Sequence, residues 1–122
     1  MTITHAEMVA RLVKTGDAII AGLTPETMDM LHAAVGVSGE AGELLDAVKK
    51  VAVYNKPVDR ENIVEELGDL EFYMEQIRQR LGVTREETLA ANIRKLSVRY
   101  AGLQYSDRAA QDRADKSAGG ES

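Results

Sequence analysis

The sequences GEAGEL at residues 39–44 and ELGDL at residues 66–70 determine the predicted fold of this chain. Each contains two acidic residues three positions apart, with a glycine before the second acid and a leucine after it. On an α-helix, residues three apart lie about 60° from each other, so the two acids of each pair share one face. Each pair lies at the edge of an apolar stripe. If the two stripes pack together, four carboxylates meet beside a helix-helix interface.

The four acids predict a site for a hard divalent cation. Carboxylates brought this close repel one another unless a cation lies among them, and oxygen ligands suit Mg²⁺ or Mn²⁺. A single Glu-x-x-Glu pair is common on solvated helices, whereas two matching pairs on adjacent helices are much rarer. The two histidines, His5 and His32, do not form the Glu-x-x-His pairs of a di-iron bundle, which argues against redox chemistry. The predicted ligands are Glu40, Glu43, Glu66 and Asp69.

The rest of the sequence predicts an all-α fold of four helices. The chain has two Pro, one Phe and no Trp, so both helix breakers and strand-type aromatics are scarce. Caps and apolar periodicity place the helices. They run from Thr4 to Leu23, from Pro25 to about Ala52, from a cap at Asp59 to Leu81, and from a capping box at Thr84 to Tyr100.

Three glycines recur in the second predicted helix, at Gly36, Gly39 and Gly42. Each costs about 1 kcal/mol relative to alanine in a helix interior. Two explanations are compatible with the sequence, namely close helix packing and clearance for a ligand beside the acids. Tyr73 likewise has two possible roles, in lining a pocket or in packing, and for His32 packing or capping is favoured over substrate contact.

Composition limits the possible functions. A chain of 122 residues forms one domain, and its net charge of −5 gives no reason to expect nucleic-acid or membrane binding. It has no cysteine, no apolar run of transmembrane length and no signal peptide, so we expect a cytoplasmic protein. Residues 106–122 are polar and end in Gly and Ser, which predicts a frayed helix or a disordered tail without a catalytic role.

A second group of polar residues lies on the last predicted helix. Asn92, Lys95 and Arg99 have helical spacing and share one face, so they could bind phosphate opposite a metal. Such a row of polar residues is more often a solvated helix face. The phosphate-binding interpretation is supported only by the presence of the four acids. Lys50, at the end of the second helix, is a further candidate, although a charged helix C-terminus is the commoner explanation.

These motifs together resemble those of the MazG-like all-α nucleotide pyrophosphohydrolases. The two acidic pairs resemble the MazG version in particular, and Asn92-x-x-Lys95 with Arg99 is similar to the phosphate-binding stretch of that family. The resemblance covers roughly residues 25–103, and we expect a MazG-like domain over residues 1–105. It also implies hydrolysis of a nucleoside triphosphate to the monophosphate and diphosphate, with Mg²⁺ held by the four acids. Together with the small predicted core, it predicts a bundle completed by homo-oligomerisation, as a homodimer or homotetramer.

The general base and the substrate base are less well defined by the sequence. Glu40 or Glu66 is favoured as the residue that takes a proton from water, because both lie beside the apolar stripe. The resemblance favours a purine nucleotide such as dGTP, with dCTP or dUTP as the alternative. A catalytically inactive helical interaction module is the alternative from another class, and retention of the acids with Lys95 and Arg99 argues against it.

Overall fold

Helices make up most of the chain. The structure is a computed structural model that describes residues 2–119, and it contains no strand in that range, which confirms the all-α prediction. The helices are α1 (His5–Leu12), α2 (Gly16–Gly22), α3 (Pro25–Ala52), α4 (Arg60–Leu81), α5 (Arg85–Arg99), α6 (Asp107–Asp112) and α7 (Ala114–Gly119).

Side-chain caps fix where the long helices begin. Thr24 Oγ1 accepts the Thr27 N–H at 3.1 Å, and Thr27 Oγ1 accepts the Thr24 N–H at 2.9 Å, so both ends of a capping box are made before Pro25. Asp59 Oδ1 accepts the Asn62 N–H at 3.1 Å. Thr84 Oγ1 accepts the Glu87 N–H at 3.1 Å. These contacts confirm the predicted starts of α3, α4 and α5.

The first predicted helix is two helices in the structure. Thr4 caps α1 as predicted, but the chain leaves helical geometry at Val13, where φ is −66° and ψ is 132°. Thr15 Oγ1 then accepts the Ala18 N–H at 3.1 Å and starts α2. Because a threonine hydroxyl can satisfy backbone donors outside a helix, Thr15 supports a new N-terminus where the apolar pattern alone predicted continuity.

The end of α4 follows from Gly82. This residue has φ +69°, a left-handed conformation that costs glycine little. The Gly82 N–H bonds the Gln79 carbonyl at 3.2 Å and the Val83 N–H bonds the Arg78 carbonyl at 3.0 Å. These two bonds satisfy carbonyls that the helix leaves free, and they confirm the predicted stop at Gly82.

The chain divides into two units, one ending at Tyr73 and the other beginning at Met74. In the first unit, α3 runs antiparallel to the first part of α4, since Gly36 lies against Tyr73 while Glu40 lies near Glu66. Ala33 is fully buried in this unit. In the second unit, α6 and α7 both contact α5.

The segment after residue 105 contains two short helices, α6 and α7. The frayed helix or disordered tail without a catalytic role stays a prediction. Ser106 Oγ accepts the Ala109 N–H at 3.0 Å to cap α6, and Asp115 on α7 pairs with Arg99 on α5. Neither contact is visible in an apolar pattern, because both are polar. The end of the predicted tail, residues 120–122, lies outside the described residues.

Much apolar surface in the first unit is exposed to solvent in the isolated chain. Among residues 2–119, the buried apolar side chains are those of Ala33 and Ala47. Large apolar side chains that are exposed include Leu12, Val13, Ile20, Val35, Leu45 and Phe72. Association of several copies of the chain would cover this apolar surface. Homo-oligomerisation stays a prediction. Within residues 2–119, no helix combines the length and the apolar character needed to span a bilayer.

Candidate functional site

Three of the four predicted metal ligands converge in the first unit. Glu40 on α3 and Glu66 and Asp69 on α4 each present a carboxylate oxygen, and the three oxygens lie within 4.8 Å of one another. Helical spacing of three places Glu66 and Asp69 on one face of α4, and the antiparallel neighbour α3 brings Glu40 to that face. Glu40 and Glu66 are half-buried, while Asp69 is exposed. The cluster can therefore be reached from solvent.

Glu43 lies outside this three-residue group. Its exposed side chain is close enough for its charge to affect Glu66, but it is not among the ligand atoms that lie within 4.8 Å of one another. The difference from the predicted set of four is geometric, because Glu43 lies one helical turn further along α3 than Glu40. Its role as a ligand stays a prediction.

Electrostatics in the cluster are unfavourable to the ionised form of Glu66. Burial raises the pKa of Glu66 above its ordinary value of 4.5, and the adjacent Glu40 carboxyl and the charges of Asp69 and Glu43 raise it further. In addition, Glu66 Oε2 is buried and has no hydrogen-bond partner among the described residues. A buried acceptor without a donor costs free energy, and a cation would remove both this cost and the repulsion. The donor set is all oxygen, which fits Mg²⁺ or Mn²⁺.

The glycines of α3 have two different roles, which correspond to close helix packing and to clearance for a ligand. A Cβ on Gly36 would overlap the ring of Tyr73, so this glycine is required for close packing of α3 on α4. By contrast, a Cβ on Gly39 or Gly42 would meet no described atom within 4 Å beyond its chain neighbours and its own helix backbone, and the same holds for Gly68. The helix surfaces beside the acids are therefore open, as access by a ligand requires.

Tyr73 packs between helices. Its ring lies on Gly36, and it makes edge-to-face contacts with His32 at 6.3 Å and with Phe72 at 5.1 Å between ring centroids. This geometry favours packing over pocket lining for Tyr73. It also agrees with the packing role expected for His32.

Lys50 has a local partner. Its Nζ lies 3.3 Å from Asp46 Oδ2, one turn earlier on α3, and both side chains are 56% exposed. An exposed pair of this kind is weak. The structure thus agrees with the commoner explanation for a lysine at a helix C-terminus, and binding of phosphate by Lys50 stays a prediction.

The predicted phosphate-binding row lies on α5, in the second unit. Asn92 and Lys95 are exposed, and their side chains have no hydrogen-bond or ion-pair partner within the described range. Arg99 differs, because its Nε donates to Asp115 Oδ1 at 2.9 Å and its Nη2 to Asp115 Oδ2 at 3.4 Å. These two side chains are only 16% and 6% exposed, respectively.

The Arg99–Asp115 pair is the contact that sequence reasoning missed. Its hydrogen bonds and charges raise the pKa of Arg99 and lower the pKa of Asp115 from its ordinary value of 3.8. The two residues are 16 positions apart, and Asp115 lies in a segment without apolar periodicity. A mostly polar segment of this kind offers no signal for such a pairing.

Comparison with known proteins identifies one family. A family model described as the MazG nucleotide pyrophosphohydrolase domain matches residues 27–102. The match includes both acidic pairs and the row on α5, and it stops before Asp115. No individual curated protein and no solved structure matches the chain significantly.

Proposed function

Because this chain belongs to the MazG nucleotide pyrophosphohydrolase family, we propose that it hydrolyses a nucleoside triphosphate to the monophosphate and diphosphate. Two observations carry the proposal: a carboxylate oxygen from each of Glu40, Glu66 and Asp69 lies within 4.8 Å of the others, and Glu66 Oε2 is buried without a hydrogen-bond partner in the described chain. A purely structural helix pair has no need for three carboxylates at one point. The same arrangement is well suited to neutralising a polyphosphate through a cation.

In this proposal Glu40, Glu66 and Asp69 hold Mg²⁺, or Mn²⁺ in its place, and Glu43 completes the set. When bound, the cation supplies Lewis acidity, which lowers the pKa of water and offsets charge on phosphoryl oxygens. The residues themselves fix its position, since Glu66 and Asp69 are held by one helix and Glu40 by its antiparallel neighbour. Placement on two packed helices keeps the ligand set rigid.

The protein's own acid-base chemistry requires one carboxylate to accept a proton. A water oxygen attacks the α-phosphorus while the bond from that phosphorus to the bridging oxygen breaks, and diphosphate leaves with the bonding electrons. The proton of the water passes to Glu40 or Glu66.

Asn92 and Lys95 are the predicted phosphate-binding residues of α5 whose side chains are available to a ligand. Both are exposed and free of partners among residues 2–119. Arg99 would have to exchange Asp115 for a phosphate, and Lys50 would have to exchange Asp46. We therefore assign phosphate binding to Lys95 and Asn92, and Arg99 and Lys50 stay candidates that could bind phosphate only after losing these partners.

The substrate is proposed to be a purine nucleotide such as dGTP, with dCTP or dUTP as the competing choice. The experiment is a panel of the common NTPs and dNTPs, with release of diphosphate measured with and without Mg²⁺ or Mn²⁺. We expect metal-dependent release with one base preferred and the monophosphate as second product. Release of orthophosphate instead of diphosphate would contradict the proposed bond cleavage, and no release from any nucleotide would favour the interaction module.

The chain is proposed to act as a homodimer or homotetramer. The exposed apolar side chains of the first unit provide the surface that association would cover. Sedimentation at micromolar concentration tests this proposal, and a monomer would contradict it.

A further inference from the structure

The contact between Gly36 and Tyr73 lies one helical turn from the carboxylate cluster, within the first unit. Gly36 precedes Glu40 by four residues on α3, and Tyr73 follows Asp69 by four residues on α4. Because the two helices are antiparallel, a step of one turn along each leads from the first pair of residues to the second. The Gly36–Tyr73 contact and the carboxylates are therefore about 6 Å apart along the helix pair.

Gly36 allows α3 to approach α4 closely at this point. A Cβ on Gly36 would overlap the Cγ, Cδ1 and Cε1 atoms of Tyr73, so the aromatic ring lies directly on the backbone of α3. The distance between two packed helices depends on the side chains at their contact, and a glycine permits the shortest distance. The Gly36–Tyr73 contact therefore sets how far apart α3 and α4 lie beside the cluster.

The Tyr73 ring is restrained by two further aromatic contacts. His32, one turn before Gly36 on α3, meets the ring edge-to-face at 6.3 Å between centroids, and Phe72 does so at 5.1 Å. The Cγ atom joins the ring to the rest of the side chain, so it leaves its place only if the rotamer or the helix position changes. A methyl group added at Gly36 would therefore push the two helices apart.

The carboxylate cluster depends on the separation of these helices because its members come from both. Glu66 and Asp69 belong to α4 and keep their mutual spacing, whereas Glu40 reaches them only across the interface. An octahedral Mg²⁺ ion holds oxygens at about 2.0–2.1 Å, so two of its ligands are at most about 4.2 Å apart. The three carboxylate oxygens lie within 4.8 Å of one another, close to this spacing. A wider gap between the helices would take Glu40 out of reach.

We propose that Gly36 and Tyr73 are positioning residues for the cation site, because their contact holds α3 at the distance from α4 at which Glu40 shares a cation with Glu66 and Asp69. The proposal rests on the part of the proposed function that assigns a divalent cation to the cluster. It adds that cation affinity, and the preference for a small ion, are set by a contact that includes none of the ligands. Both residues act through the helices.

The first test measures Mn²⁺ binding to the full chain by electron paramagnetic resonance, without nucleotide. Gly36→Ala should raise the Kd for Mn²⁺ at least about tenfold, because the added methyl group moves Glu40 away from α4. Circular dichroism at the same temperature verifies that the variant is folded. An unchanged Kd in Gly36→Ala would overturn the proposal.

The matched control for this test is Ala47→Gly. Ala47 is buried on the same helix, so the substitution lowers stability through helix propensity and the loss of a packed methyl group. It adds no atom between the helices, and the Kd for Mn²⁺ should stay within about twofold of the parent value. An equal increase of the Kd in Ala47→Gly and Gly36→Ala would attribute the loss to lower stability and reject the proposal.

The choice of ion provides a readout that a general loss of stability does not change. Ca²⁺ holds oxygens at about 2.3–2.6 Å, so it accepts a wider ligand set than Mg²⁺ does. Gly36→Ala should therefore weaken Mg²⁺ binding more than Ca²⁺ binding, and the ratio of the two Kd values should change at least about threefold. Displacement of bound Mn²⁺ measures both affinities. Loss of both by the same factor would reject a role in ligand spacing.

Tyr73 is tested from the other side of the contact. Tyr73→Phe keeps the ring and should bind Mn²⁺ with the parent Kd, whereas Tyr73→Ala should raise the Kd at least about threefold. In the Tyr73→Ala background, Gly36→Ala should change the Kd by no more than about twofold, because the methyl group then meets no ring. Additive effects of the two substitutions, or weaker binding by Tyr73→Phe, would contradict the proposal. The Gly36 and Tyr73 single variants are independent, so each decides the proposal if the other fails to fold.

These outcomes are separable from failure of the proposed function. Mn²⁺ binding that depends on Gly36 and Tyr73, with no hydrolysis of any triphosphate, would retain the positioning contact and reject the reaction. Metal-dependent hydrolysis by a Gly36→Ala variant with the parent Kd for Mn²⁺ would reject the positioning contact and retain the reaction. Absence of Mn²⁺ binding by the parent chain would overturn the cation site and this proposal with it.

Discussion

The two units of this chain arrange their charged side chains in opposite ways. In the first unit, Glu40, Glu66 and Asp69 bring like charges together, and Glu66 Oε2 is buried without a hydrogen-bond donor in the described chain. In the second unit, Arg99 and Asp115 bring opposite charges together in a largely buried, bidentate ion pair. Isolated like charges reduce stability, and complementary ones increase it. The difference supports the proposal that the first cluster binds a cation, whereas the second pair stabilises the fold.

The largest expected effect comes from neutralising the carboxylate cluster. Glu40→Gln, Glu66→Gln and Asp69→Asn should each reduce diphosphate release by about 10²-fold or more while helix content by circular dichroism is unchanged. Glu65→Gln is the matched control, because Glu65 is an exposed neighbour outside the cluster. Glu43→Gln should lose activity by less, since Glu43 lies outside the group of three. Full activity in the Asp69→Asn variant would reject the cluster as the active site.

The next effect concerns packing beside the cluster. Gly36→Ala should lower the free energy of unfolding by about 1–3 kcal/mol, because the added methyl group meets the Tyr73 ring. Gly39→Ala, in open surface, should raise it by up to about 1 kcal/mol through helix propensity. Urea unfolding measures both. Equal effects at the two glycines would mean that α3 does not pack on Tyr73 as described.

A smaller effect is a difference in pH dependence between the units, measured by thermal unfolding without metal. The pKa of Glu66 is raised in the folded state, so folding binds protons there and stability falls as pH rises through that pKa. The pKa of Asp115 is lowered, so its contribution is present above the unfolded value and is lost as pH falls through the folded one. Glu66→Gln should therefore stabilise the metal-free protein near neutral pH, whereas Asp115→Asn should destabilise it. The same sign for both variants would contradict the comparison.

The smallest effect is expected at Lys50. Its pair with Asp46 is exposed, so Lys50→Ala should change the free energy of unfolding by less than about 0.5 kcal/mol. KM for the nucleotide should also remain close to that of the parent chain. A KM increase of about tenfold would instead establish Lys50 as a phosphate ligand.

The sequence predicts the helices well where local chemistry fixes them. Thr24, Asp59 and Thr84 cap helices as expected, and Gly82 ends α4. The convergence of acids on α3 and α4 was also predictable, since helical spacing and an antiparallel turn are both encoded locally. These features depend on residues within a few positions of each other or on one helix pairing.

The remaining features depend on polar contacts between distant positions. The ion pair between Arg99 and Asp115 depends on the path of the chain after Tyr105. The apolar periodicity of the sequence does not predict that path. The break before Thr15 results from a hydroxyl that competes with the helix. The exclusion of Glu43 from the group of three depends on exact helix placement, which spacing alone does not define.

Direct metal binding tests the central claim, that the converged carboxylates form a cation site. We would titrate the protein with Mn²⁺, without nucleotide, and follow free Mn²⁺ by electron paramagnetic resonance. Binding by the parent chain and by Glu65→Gln, with loss of binding in Glu66→Gln, is the predicted result. Equal binding by Glu66→Gln and the parent chain would contradict it.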